Sequence, residues 1–152
     1  MRAVSWRLTY EGDAAVRCEF AEVPYKGRPR HTRSGRVYTP RKTHDFERTI
    51  REAWLERYGM RYAEHKGPVR VSVYCERPLA KSHPKYWAGR CDLMKPDADN
   101  RLKVVLDALN GIAWHDDSQV THLSIEYRRR PPHGGPVVMD VYVNYLTERY
   151  EK

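Results

Sequence analysis

Five aspartates, Asp97, Asp99, Asp107, Asp116 and Asp117, lie within 21 positions of a 152-residue chain whose formal net charge is +8. Only Arg101 and Lys103 carry fixed positive charge in that stretch. Gathering like charge costs free energy unless solvent or a cation neutralises it. Pro96 disfavours helix at Lys95, so the chain is expected to enter this segment extended. In an extended Asp97-Ala98-Asp99 both carboxylates point to one face and can share a hard cation. Magnesium takes oxygen ligands and keeps several waters, so a few carboxylates plus phosphate oxygens suffice; manganese is a plausible substitute. Asp117 would complete the set if the chain folds back after Gly111. Lys103 lies one helical turn after Asp99, and Asn100, Lys103 and Asp107 share a polar stripe. A lysine there can stabilise charge on a phosphate or hold the aspartates ionised. A structural assignment fits the same spacing: Asp99 as an N-cap, Lys103 as its ion-pair partner, Asp116-Asp117 as a turn.

A second charged tract runs from Lys26 to Lys42. It holds Lys26, Arg28, Arg30, Arg33, Arg36, Arg41 and Lys42 with no acidic residue. Gly27, Pro29, Gly35 and Pro40 argue against regular structure throughout it. Tyr25 and Tyr38 flank and interleave the charge, so the tract reads as a loop that contacts phosphates and offers a ring to an unpaired base. A basic chain suits a polyanionic partner. No apolar run is long enough to span a bilayer, and Met1 to Trp6 lacks the apolar core of a signal peptide. Nucleic acid is the expected partner, with no membrane. Cys18, Cys75 and Cys91 include no CxxC pair, which fits a reducing cytoplasm and no disulfide framework.

The remaining chain must position these residues. Val4, Trp6, Leu8 and Tyr10 alternate as a strand, Glu11-Gly12-Asp13 reads as a turn, and Val16, Cys18 and Phe20 repeat the alternation. Residues 1–13 therefore read as an extra N-terminal strand of one domain spanning 1–152. Thr43 offers an N-cap to a helix carrying Phe46, Ile50, Ala53, Trp54 and Tyr58 and ending near Gly59. Val69, Val71, Val73 and Cys75 form the clearest strand, closed by Pro78. Residues 79–94 show no period. From Asp99 to Leu109 the period is helical, with Leu102, Val105, Leu106 and Leu109 on one stripe and Gly111 suited to the left-handed stop. Two alternating runs follow, Thr121 to Tyr127 and Val137 to Tyr145, joined by a basic, hairpin-like Arg128-Arg129-Arg130 connection. The expected class is α+β, a small mixed sheet with two main helices.

The string Lys95-Pro96-Asp97-x-Asp99-Asn100-x-x-Lys103-x-x-x-Asp107-Ala108-Leu109-Asn110-Gly111, then Asp116-Asp117-x-Gln119-Val120, closely resembles the signature of the RusA family of Holliday junction resolvases, common in phages and prophages. The match is dense over 95–120 and looser over about 14–147. Ala98 is smaller than the bulky apolar residue usual in the family, and 79–94 is longer than its compact equivalent. The resemblance implies metal-binding carboxylates at Asp97, Asp99 and Asp117, a functional lysine at Lys103, a magnesium-dependent homodimer and paired symmetric nicks in four-way junction DNA. Asn100, Asp107 and Asp116 would support the ligands from behind. It also implies a bacterial cytoplasmic setting. A branched-DNA binding protein without catalysis and a broader flap or fork nuclease are the alternatives. A buried aromatic, Trp54 or Trp114, is the expected anchor of the dimer surface.

Overall fold

The computed structural model describes residues 5–93 and 97–151. Val4, Lys95 and Pro96, used in the reading above, lie outside the described residues. The order of elements is β1 (Ser5–Phe20), β2 (Arg30–His31), β3 (Val37–Tyr38), α1 (Arg41–Tyr58), β4 (Val69–Glu76), α2 (Ala98–Leu109), β5 (Val120–Tyr127) and β6 (Val137–Glu151). A mixed four-stranded sheet has the order β1-β6-β4-β5, and β2 and β3 form a separate two-stranded hairpin. The expected α+β class with two helices and a mixed sheet holds.

Alternation places the odd residues of β4, Val69, Val71, Val73 and Cys75, on one face with Val137, Met139, Val141, Val143 and Tyr145 of β6 and Ala14, Val16, Cys18 and Phe20 of β1. Helix α1 lays Phe46, Ile50 and Trp54 against that face, and α2 lays Val104, Val105, Ala108 and Leu109 beside them. Burying such side chains supplies the main driving force for this two-layer packing. Trp54 and Trp114 are both fully buried in the protomer's own core. Neither is available to anchor a partner, which corrects the expected dimer surface.

Three local expectations are also corrected. Residues 11–13 make no turn. β1 runs unbroken through them, antiparallel to β6, with a register shift between Tyr10 and Gly12. A bulge residue changes the phase of a strand without reversing it. Trp6, Leu8 and Tyr10 consequently face solvent while Ala14, Val16, Cys18 and Phe20 face the core. The segment after Tyr127 is no hairpin either. β5 pairs parallel with β4, and β6 crosses to the other side of β4, antiparallel to it. A parallel pair needs a long crossover, and residues 77–119, including α2, provide it. Thr43 is not the cap of α1, whose N-cap is Pro40. The Thr43 hydroxyl instead accepts a hydrogen bond from Gly27 N at 2.9 Å.

On the uncovered sheet face, Asp140 is gripped by Arg17 (2.7 Å) and Arg128 (2.6 Å). Burial raises the Asp140 pKa, but the two guanidinium groups outweigh it and hold the carboxyl below its usual value. A depressed carboxylate stabilises the fold above its unfolded pKa, and that contribution is lost as pH falls through the folded value. Asp140→Asn is expected to cost about 1–2 kcal/mol at pH 7, modest because Arg17 is largely exposed. Urea unfolding at pH 7 and at successively lower pH checks this: the gap between variant and wild type should narrow as pH falls below the ordinary carboxylate range.

Candidate active site

Helix α2 starts at Ala98 with Asp97 as its N-cap. Aspartate at this position usually accepts a hydrogen bond from the first turn. Asp97 makes no such side-chain bond, so its carboxylate is not spent on its own helix. Asp99 lies in the first turn, where the helix dipole favours negative charge. Both are exposed. Because Ala98 and Asp99 are already helical, the alternation expected of an extended segment does not apply. What the two aspartates share is one end of α2. Lys103 Nζ stands 3.8 Å from Asp99 Oδ2, one turn along the exposed side.

Asp117 is at the other end of the helix. Its backbone N–H donates to Asn110 Oδ1 at 3.1 Å, and Asn110 is the C-cap of α2. Trp114 Nε1 donates to Asp117 Oδ1 at 2.8 Å. The chain does fold back after Gly111, whose φ of +76° supplies the left-handed stop. The fold-back delivers Asp117 to the neighbourhood of Asp107, not of Asp97. Eleven residues of helix separate Asp99 from Asn110, a rise of about 16 Å. The flanking strand agrees: Asp97 acts electrostatically on Tyr127 at the end of β5, whereas Asp117 immediately precedes its start. Among the described residues no three His, Cys, Asp or Glu side chains gather to hold a metal ion. The carboxylate oxygens fit a hard cation by type, but one chain brings together only two of the three expected ligands.

The neighbours of Asp117 have defined roles. Asp116 accepts from Ser118 N at 3.0 Å, and Asp116 N donates to Gln119 Oε1 at 2.7 Å, so the pair closes a capping box around a single 3-10 turn. Gln119 Nε2 also donates to Gly67 O at 2.9 Å, tying the turn to the segment before β4. Asp116 thus shapes the turn that presents Asp117. Burial raises the Asp117 pKa, the Trp114 N–H opposes this, and the Asp107 and Asp116 carboxylates add to it. Asp107 itself is ion-paired with Lys26 at 2.7 Å.

Lys26 is therefore not displayed for phosphates. Its ammonium also bonds Glu47 at 3.1 Å, and its backbone N–H donates to Asn100 O at 3.0 Å. The backbone bond fastens the base of the basic tract to the first turn of α2, and the ammonium ties it to α1 and to the last turn of α2. Beyond Gly27 the tract forms the β2–β3 hairpin, closed by Gly35 at φ +83° and by Thr32 N to Arg36 O at 2.8 Å. A Cβ on Gly27 would stand 2.9 Å from Thr43 Oγ1, so this close approach needs glycine. Arg28, Arg30, Arg33, Arg36 and Arg41 are exposed. Lys42 is exposed too but pairs with Glu22 at 2.9 Å. Tyr38 is open to solvent, whereas Tyr25 packs edge-on against Phe46.

Sequence reasoning passed over Arg101. It is fully buried on the core side of α2, its guanidinium carbon 3.8 Å from the centroid of Tyr127. The signal was present: Arg101 is in helical register with Val105 and Ala108, on the apolar side.

The chain thus presents exposed carboxylates at one end of α2 and exposed arginines on the β2–β3 hairpin and its flanks. A family model described as endodeoxyribonuclease RusA matches residues 22–140, and the chain belongs to that family. The match takes in α1, β4, α2 and β5 and leaves all of β1 and the later part of β6 outside. The chain is also 32% identical over 123 residues to uncharacterized protein YqaN of Bacillus subtilis (strain 168), covering 70% of this chain and 81% of that protein. Among the described residues no helix is long and apolar enough to cross a membrane.

Proposed function

We propose that the protein resolves four-way DNA junctions by paired, magnesium-dependent nicks, acting as a homodimer in the cytoplasm of a bacterial or phage-carrying cell. Each site would combine Asp97 and Asp99 with Asp117 of the partner subunit. The observation that carries this reading is the exposed Asp97–Asp99 end of α2, with its N-cap carboxylate unspent, in a chain of an endodeoxyribonuclease family. Its separation from Asp117 along the helix is the reason for invoking a second protomer. Two-fold symmetry suits a substrate that is itself approximately two-fold.

Magnesium, when bound by these carboxylates, supplies a Lewis acid and a water of lowered pKa. Asp97 and Asp99 sit where the positive end of the helix dipole also favours a phosphate. Lys103 is within reach of Asp99 and can balance charge added to the phosphorus during in-line attack. The Asn110 and Trp114 hydrogen bonds fix Asp117 before substrate arrives, and pre-positioning of this kind lowers the cost of reaching the transition state. The exposed arginines of the hairpin, whose base is tied to the first turn of α2 through Lys26 N and Asn100 O, would contact backbone phosphates.

Incubation with a mobile four-way junction, a fork and a linear duplex, each with magnesium and with chelator, tests the proposal. Symmetric paired nicks in the junction, abolished by chelator, are expected. Equal cutting of forks and flaps would favour a broader nuclease, and tight junction binding without cutting would favour a binding protein.

A further inference from the structure

Residues 79–93, which show no period in the sequence, are well tethered in the structure. Gly89 N donates to Arg130 O at 2.8 Å, Arg130 N to Arg90 O at 2.9 Å, and Arg130 Nη2 to Pro78 O at 2.8 Å. His133 Nε2 lies 2.8 Å from His83 O. These bonds stitch the segment to the Arg128–His133 connection. Between the two lies a cleft of about 470 Å³. That is within the range of sites that hold small molecules.

The lining is aromatic, aliphatic and cationic. Trp87 forms one wall, with the Arg90 guanidinium carbon 4.6 Å from its centroid and the His83 ring 4.8 Å away. Arg129 and Arg130 form the other side, Leu79 and Leu93 fill the ends, and among the described residues no acidic side chain lines the cleft. Flat rings take up a base face, and guanidinium groups take up phosphate oxygens. An acidic peptide would satisfy the arginines but would make no particular use of the Trp87 wall.

The cleft adjoins the Asp97 end of α2. Cys91 lines both it and a neighbouring depression bordered by Ala98, the residue after Asp97. Leu93 precedes Asp97 by four residues, which limits their separation to about 14 Å. Bases in a duplex are stacked and cannot enter such a cleft without leaving the helix.

We propose that this cleft receives one unpaired nucleotide of the branched DNA, its base against Trp87 and its phosphate against Arg90 and Arg129. The proposal rests on the DNA-cutting reading for its substrate and adds a site that favours branch points over duplex. An unpaired base is cheapest to extract where strands exchange, so the cleft would place the exchange point near Asp97 and Asp99.

The protein has four tryptophans, and Trp54 and Trp114 are fully buried. In a Trp6→Phe background, Trp87 is the tryptophan open to a ligand. Titration of that variant with the tetranucleotide d(pT)4 should give saturable quenching, and a blunt 12-mer duplex should give much less. Trp87→Ala should weaken d(pT)4 binding roughly 5- to 150-fold, as loss of one base stack does, and Trp87→Phe should recover part of it. In a junction carrying 2-aminopurine at the exchange point, with calcium replacing magnesium, protein binding should raise the probe's fluorescence, and Trp87→Ala should remove that rise. No saturable quenching, equal quenching by duplex, or quenching by poly-glutamate but not by d(pT)4 overturns the proposal. Junction cutting without quenching removes the cleft and spares the nuclease reading. Quenching that survives in a protein unable to cut any DNA retains the cleft and removes the nuclease reading.

Discussion

Co-expression of Asp97→Asn and Asp117→Asn chains is expected to restore nicking that neither variant shows alone, on one strand only of each junction. Each variant by itself should lose roughly a thousandfold in cutting rate, about 4 kcal/mol of transition-state stabilisation, because every site lacks one metal ligand. In a mixed dimer the losses segregate. One site receives both substitutions, and the other receives Asp97 from one chain and Asp117 from its partner, so it is intact. Random pairing places half the dimers in this mixed form with one working site of two, giving roughly a quarter of the wild-type site count. Single nicks leave the junction unresolved, so nicked but still branched product is the signature on a gel. The geometry behind this is the placement of Asp97 and Asp99 at one end of α2 and of Asp117 beside its C-cap. If the mixture stays as inactive as its components, the carboxylates do not combine across protomers.

Replacing Arg28, Arg30, Arg33 and Arg36 together with glutamine should weaken junction binding by roughly a hundredfold or more near 0.1 M salt. Each phosphate contact releases counterions and adds about 0.9 to the slope of log affinity against log salt for duplex DNA. Loss of four contacts in each of the two protomers should flatten that slope by about 7. These side chains are exposed on a hairpin, so their removal should leave thermal stability nearly unchanged. Lys26→Gln should behave in the opposite way. It leaves buried Glu47 and nearby Asp107 without their shared cation and should cost about 1–2 kcal/mol of stability, with the salt slope unaltered. Fluorescence anisotropy over a salt series, with thermal melts of the same samples, separates the two. A Lys26 variant with a flatter slope and normal melting would place that residue on the DNA instead.

Local periods are read well where one face is buried and one is wet. β4 and α1 are of this kind, and their limits follow from alternation, from helical spacing and from the Gly59 and Pro78 stops. β1 was misread because a bulge at Glu11 and a turn share the same residues, Glu-Gly-Asp, and only the pairing with β6 distinguishes them. The parallel placement of β5 was invisible for a similar reason: strand order is a property of long-range pairing, and the edge strand keeps the same alternation in either direction. The aspartate cluster shows the limit most sharply. Its residue types suggest hard-cation chemistry and its period reads as a helix from Asp99 to Leu109, but only the folded chain shows that the return after Gly111 leaves Asp117 beside Asn110 and Asp107, far from Asp99. Lys26 looked like one more cation in a basic tract. Its removal from that set depends on Asp107 and Glu47, which come from two different helices.

Helix α2 has one more consequence, as a gauge. It is 12 residues long and internally hydrogen-bonded, so its length is fixed at about 18 Å. Two copies laid head to tail across a two-fold axis would hold the two cutting centres at a spacing set by this rod, and loop motion could not retune it. Val104, Val105, Ala108 and Leu109 bolt the rod to the sheet, so it does not pivot freely either. The protein would then be the stiff member of the complex and the DNA the compliant one: strands that cannot bring their phosphates to that spacing are left uncut, and those that can are cut as a matched pair.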